Sequence, residues 1–131
     1  MATLERQAPR IVVADDDPHV LKALTMLLEE GHYDVVGTAT DGPSAVDLIV
    51  ESKPDVAIVD FRMPNMTGVE VAEAFTRASA EVPIIVFSAY DDAGIQSAAR
   101  GAGVAAYLVK GCRAAKLFAT IDEVLARRAE V

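Results

Sequence analysis

The chain is short of cysteine, of basic charge and of long apolar runs, and each shortage removes a class of function. One cysteine, Cys112, in 131 residues cannot form an intramolecular disulfide, which fits a reducing compartment and not a disulfide-built secreted scaffold. Twelve Lys and Arg against twenty Asp and Glu leave a net charge of −8. Nucleic-acid affinity rests largely on cationic groups displacing counterions, and attachment to anionic lipid needs the same groups, so direct binding of either is disfavoured. The longest uninterrupted apolar run is Val104 to Val109, far below the span of a membrane helix. The opening MATLERQAPR is charged and has no apolar h-region, so it does not read as a signal peptide. Repeats, low-complexity segments and interdomain linkers are also missing. With 52% hydrophobic residues the chain can bury a core, and its length suits one domain. The expectation is a small, acidic, soluble cytoplasmic domain over residues 10–128, preceded by an extension at 1–9, with no second domain.

Short apolar runs alternate with segments of helical period. Ile11–Ala14, Val56–Val59, Ile84–Phe87 and Tyr107–Val109 are apolar at every residue and rich in Val and Ile. Strands buried on both faces have this character and occur mainly in parallel sheets covered by helices. A fifth run, Val35 to Thr40, is more polar and suits an edge strand. Val20, Leu21, Leu24, Leu27 and Leu28 make one helical stripe, and Leu117, Phe118, Ile121, Val124 and Leu125 repeat its spacing. Ser44–Ser52, Val69–Ala80 and Asp92–Arg100 complete the helices, the last being Ala-rich and weakly patterned. Asp17-Pro18 reads as a helix start with Pro at its first position, and Gly31 falls where a glycine ends the first helix. Five βα units in a row predict a doubly wound α/β sheet.

In such a sheet ligands bind beyond the C-terminal ends of the strands, where strand order reverses. The residues directly after the four apolar runs are Asp15 (followed by Asp16 and Asp17), Asp60, Ser88 and Lys110. Any one of them reads more simply as a cap or turn former; the four together, with complementary charges, do not. Two carboxylates about 4 Å apart repel by on the order of 4 kcal/mol at an effective dielectric of about 20. Grouping Asp15, Asp16 and Asp60 therefore calls for a cation or a retained proton. Oxygen-only donors favour Mg²⁺ or Mn²⁺ over Zn²⁺, and three contiguous aspartates do not have EF-hand spacing. A divalent ion, the Lys110 ammonium and the Ser88 hydroxyl around one carboxylate would make a site for a phosphoryl group, with the carboxylate as nucleophile. Met63 and Met66 read as loop packing, and Cys112 as an incidental small residue.

With these residues assembled, the chain closely resembles the receiver domain of two-component response regulators. The resemblance rests on IVVADDDP with its acidic pair, VDFRMPNMTG around Asp60, IIVFSAY with Ser88, and AAYLVKG with Tyr107 and Lys110. It runs in order from about Ile11 to Leu125, and GVAAYLVKG is most like receivers of LuxR-type regulators. It implies a flavodoxin-like strand order of 2-1-3-4-5. It further implies that Asp60 accepts a phosphoryl group from a sensor histidine kinase or phosphotransfer protein. Asp16, Asp60 and the backbone carbonyl of Arg62 would bind Mg²⁺, with Asp15 acting through water. Lys110 and Ser88 would contact phosphoryl oxygens, and Tyr107 would turn inward to alter the helix 4, strand 5, helix 5 face read by a downstream protein or output domain. Receivers often pair through that face, although no patch in this sequence is diagnostic of a homodimer. Three departures stand out: Gly111 in place of the common proline, serine in place of threonine at 88, and the bulk of Arg62 and Tyr90, which would lengthen the acyl-phosphate lifetime. The competing readings are a pseudo-receiver that only docks proteins, which typically lacks one of the residues retained here, and an aspartyl-phosphate hydrolase of the haloacid dehalogenase kind. The hydrolase needs a second Asp where Arg62 stands.

Overall fold

The computed structural model describes residues 7–77, 81–89 and 92–129. Five parallel strands, β1 (Arg10–Ala14), β2 (Asp34–Ala39), β3 (Val56–Asp60), β4 (Ile84–Ser88) and β5 (Ala106–Val109), form one sheet in the order β2-β1-β3-β4-β5. The intervening helices are α1 (Pro18–Glu30), α2 (Gly42–Ser52), α3 (Gly68–Arg77), α4 (Ala93–Gly101) and α5 (Ala114–Ala129). This is the expected doubly wound, flavodoxin-like architecture, with the polar 35–40 run on an edge as its composition required.

The all-apolar runs are explained by burial on two sides. Successive strand residues face opposite ways, so Val12 and Ala14 join Ala45, Ile49, Val71 and Phe75 of α2 and α3 in one layer. Ile11 and Val13 join Leu21, Leu24, Leu28, Leu117 and Ile121 of α1 and α5 in the other. The α4 segment, weakly patterned in sequence, has Ala99 as its one fully buried residue among those described. No described helix is long and apolar enough to cross a membrane.

Several boundaries differ from the sequence reading for physical reasons. Asp60 and Ser88 are the last residues of β3 and β4 and do not follow them; each still pairs in the sheet, Asp60 with Phe87 and Ser88 with Val109. Asp17 caps α1 by accepting the His19 amide at 2.8 Å, with Pro18 in the first turn as expected. Gly31, however, does not supply the left-handed residue after α1: its φ is −81, and His32 at φ 70 takes that role. What Gly31 supplies is room, since a Cβ there would lie 2.8 Å from the Phe118 ring. The third helix starts at Gly68 and is described to Arg77; residues 78–80 of the predicted segment, and Tyr90, lie outside the described residues.

Candidate functional site

The strand order reverses between β1 and β3: the chain crosses from β1 outward to β2, then returns past β1 to β3. The C-terminal ends of these two strands therefore open a crevice not covered by a connection. Asp15 and Asp16 follow β1 on one side of it, and Asp60 ends β3 on the other. Carboxylate oxygens of Asp15, Asp16 and Asp60 all lie within 4.8 Å of one another. Asp15 and Asp60 are buried, at 2% and 8% exposure, and Asp16 is exposed.

Lys110 reaches this cup from the end of β5. Its Nζ lies 2.6 Å from Asp15 Oδ2 and 3.3 Å from Asp60 Oδ1. The backbone holds its root in place: the Lys110 amide donates to the Ser88 carbonyl at 2.7 Å, tying the ends of β4 and β5 together. Asp15 is oriented in turn, its Oδ1 accepting the Asp17 amide at 2.9 Å and its own amide bonding the Ala39 carbonyl at 3.0 Å. Gly111, next to Lys110, adopts φ +95, a conformation closed to proline, whose ring holds φ near −65. The departure from the commoner proline thus comes with a loop geometry that proline could not adopt.

Of the residues anticipated from sequence, Asp15, Asp16, Asp60 and Lys110 converge directly. Ser88 is fully buried at the end of β4 and joins them through its backbone. Tyr107 sits half-buried on edge strand β5, opposite Val86, and packs against the α2–α3 layer. Arg62 is exposed on the segment that leaves Asp60. That segment holds what sequence reasoning missed, a two-residue antiparallel ribbon pairing Arg62 with Thr67 and Met63 with Met66. Asn65 at φ 70 makes its turn, and Met63 is buried in the core, in keeping with the packing role read for the methionines. Thr67 and Glu70 close the start of α3 as a reciprocal cap, each side chain accepting the other's amide at 3.0 Å. The T-x-x-E spacing was visible in the sequence as a helix-start signature. Gly68 follows because a Cβ there would overlap the Asp60 carbonyl oxygen.

The electrostatics follow from burial and crowding. Removal from water, then the Asp15 charge, raises the Asp60 carboxyl above its ordinary value, against the opposing pull of Lys110. Burial alone would lower Lys110, but its hydrogen bond to Asp15 and the charges of Asp60 and Asp15 outweigh it and leave the ammonium raised. An acid raised on folding stabilises below its unfolded value, and that contribution is lost as pH climbs through the folded value. Neutralising it with Asp60→Asn is therefore expected to raise the thermal midpoint more at pH 7 than at pH 4. Thermal melts of both proteins across that range check this; an equal offset at both pH values would contradict it.

The donor set suits a hard divalent cation. Three clustered carboxylates offer only oxygen, and one cationic side chain only partly offsets them.

Comparison with known proteins agrees with this geometry. A family model described as the response regulator receiver domain matches residues 11–122. The chain is 35% identical over 123 residues to the transcriptional regulatory protein PdtaR of Mycobacterium tuberculosis, covering 93% of this chain and 59% of that one. The solved receiver domain of the response regulator NarL from M. tuberculosis superposes with a TM-score of 0.89 at 32% identity, covering 92% of this chain and 98% of the other. A LuxR-family two-component response regulator from Aurantimonas sp. SI85-9A1 gives 0.88 at 29% identity, with 92% and 87% covered. The chain spans between half and three-fifths of the length of the curated transcriptional regulators it matches. Taken with the parallel sheet, its reversal point and the acidic cup beside Lys110, these matches place the chain in the response regulator receiver domain family of two-component systems.

Proposed function

We propose that this receiver is a stoichiometric phosphoryl-accepting switch in which Asp60 takes the group from a phosphohistidine on a sensor kinase or phosphotransfer protein. A carboxylate oxygen of Asp60 forms a bond to phosphorus as the phosphorus–nitrogen bond to imidazole breaks, and the freed imidazole recovers a proton. The observation that carries this reading is the Lys110 ammonium, held between Asp15 and the crevice-facing Asp60. It is a fixed positive charge beside the nucleophile, in place before any phosphoryl oxygen arrives.

Asp15, Asp16 and Asp60, with the Arg62 backbone carbonyl, would hold Mg²⁺ (Mn²⁺ would also suit them). The ion, when bound, offsets charge on the phosphoryl oxygens. Ser88, rooted beside Lys110, would donate its hydroxyl to another phosphoryl oxygen, and Tyr107 on β5 would follow it inward. The surface of α4, β5 and α5 would change in consequence and pass the signal to a partner or output domain, in the manner of a local charge event biasing a two-state element. The relatives' names as transcriptional regulators support an output in gene control, exerted without nucleic-acid contact by this domain. A cytoplasmic location and a receiver spanning residues 10–128 complete the reading.

Intact mass after incubation with acetyl phosphate tests it. With Mg²⁺ one phosphoryl group per chain is expected, and with chelator almost none. Steady release of phosphate without an accumulating adduct would favour the hydrolase, and neither adduct nor turnover would leave a docking module.

A further inference from the structure

The loop that leaves Asp60 is gripped from two sides. On one side α3 starts hard against it, through Gly68 at the Asp60 carbonyl and the Thr67–Glu70 cap. On the other side stands the first residue of α2. Gly42 is buried, and its amide points to the Pro64 carbonyl at 3.5 Å. A Cβ at position 42 would overlap Met66 Cβ, with Met66 Cγ 2.9 Å and Cα 3.1 Å away. The φ of Gly42 is not positive, so what is required here is space and not left-handed backbone. Neither wall can easily yield. Asp41 caps α2 by accepting the Ser44 amide at 2.8 Å, and Ala45 and Ile49 on the next turns are fully buried in the core. Met66 pairs with Met63, itself buried, and the adjoining pair is Thr67 with Arg62. A methyl group at 42 therefore pushes on the ribbon that carries Arg62.

We propose that Gly42 is a positioning residue for the phosphoacceptor loop: its contact with Met66 sets where the 62–67 ribbon, and the Arg62 carbonyl with it, sits relative to Asp60. The inference rests on the reading of Asp60 as acceptor beside a Mg²⁺ site. It adds that α2, which contributes none of the converging side chains, governs the precision of that site.

A double-mutant cycle tests it, using Gly42→Ala, Met66→Gly and the pair, with Mg²⁺ affinity read by titration calorimetry on unphosphorylated protein. Phosphorylation rate with acetyl phosphate and the thermal midpoint are measured alongside. Gly42→Ala is expected to weaken Mg²⁺ binding and slow phosphorylation about tenfold, the usual scale for disturbing the support of a metal ligand. In the Met66→Gly background, where the overlap is gone, the same alanine is expected to cost less than about twofold. A Gly42→Ala protein that loses thermal stability but binds Mg²⁺ as the parent does would overturn the proposal, as would an undiminished penalty beside Met66→Gly. Should Gly42→Ala fail to fold, Met66→Gly alone breaks the same contact from the loop side. Weaker Mg²⁺ binding there supports the proposal, and parental affinity refutes it. The absence of any phosphoryl adduct on the parent would instead sink the reading of Asp60, which the Mg²⁺ cycle does not depend on.

Discussion

Replacing Lys110 with methionine is expected to lower the stability of the unphosphorylated protein by about 3 kcal/mol at pH 7 without divalent cations. Methionine retains the apolar stem and deletes only the ammonium. Asp15, at 2% exposure, then loses a partner at 2.6 Å, and Asp60 loses one at 3.3 Å. Asp15 and Asp60, both buried, remain beside each other and beside Asp16 with no cation between them. Breaking a buried pair from one side is costly because the remaining charge is left uncompensated, more costly than the net worth of the pair itself. Lys110 keeps 23% of its side chain exposed, which tempers the effect and places the expected value at the lower end of the range for buried pairs. For a domain of this size the loss corresponds to a thermal midpoint lower by roughly 10 °C. Lowering the pH shrinks the deficit, because protonated carboxyls no longer repel. Adding Mg²⁺ also shrinks it, because the cup left without the ammonium is more anionic and binds the cation more tightly than the parent's does, so its folded state gains more by mass action. Phosphoryl uptake falls steeply even where folding is restored. A Lys110→Met protein as stable as its parent in chelator would show that the cup does not need this ammonium.

The fold and most of the site were legible in the sequence because they rest on residues whose chemistry is hard to explain otherwise. Ile11–Ala14 and Val56–Val59 are apolar at every position, which suits strands covered on both faces, and the structure buries alternate residues in opposite layers. Asp15, Asp16, Asp60 and Lys110 each stand at a strand end, and the parallel sheet aligns those ends on one edge of the molecule. What escaped was local geometry set by neighbours remote in sequence. Gly31 looked like a left-handed helix terminus, but Phe118, 87 positions away, dictates it. The ribbon at 62–67 has too few residues to show a period, and Gly42 acquires its meaning only when α2 is seated on Met66. Ser88 and Asp60 read as the first residues past their strands because a polar side chain ends an apolar run, whereas hydrogen bonding carries each strand one residue further. Tyr33 is a further case: its hydroxyl donates to Asp122 at 2.7 Å and ties the α1–β2 turn to α5, and burial together with that carboxylate pushes the phenol well above its ordinary range. Nothing in the spacing of residues 33 and 122 announces that contact.

The largest expected effect is the complete loss of phosphoryl uptake in Asp60→Asn. The substitution is close to isosteric, so the sheet pairing of residue 60 with Phe87 persists. It replaces the nucleophilic carboxylate oxygens with an amide that cannot form an acyl phosphate at a useful rate, and it removes one of three clustered carboxylates. Mg²⁺ binding weakens in the same variant, while folding is retained and the melt at neutral pH moves upward. Residual adduct in Asp60→Asn would mean that Asp15 or Asp16 can stand in as acceptor.

Chemical trapping of the phosphorylated residue examines the acceptor directly. Borohydride reduces an acyl phosphate, but not a free carboxylate, to the corresponding alcohol, so treatment of the acetyl-phosphate-labelled protein marks the acceptor as homoserine. Peptide sequencing by mass spectrometry is predicted to find homoserine at position 60 and at no other aspartate. Homoserine at 15 or 16, or a labelled protein in which residue 60 is still aspartate, would contradict the account.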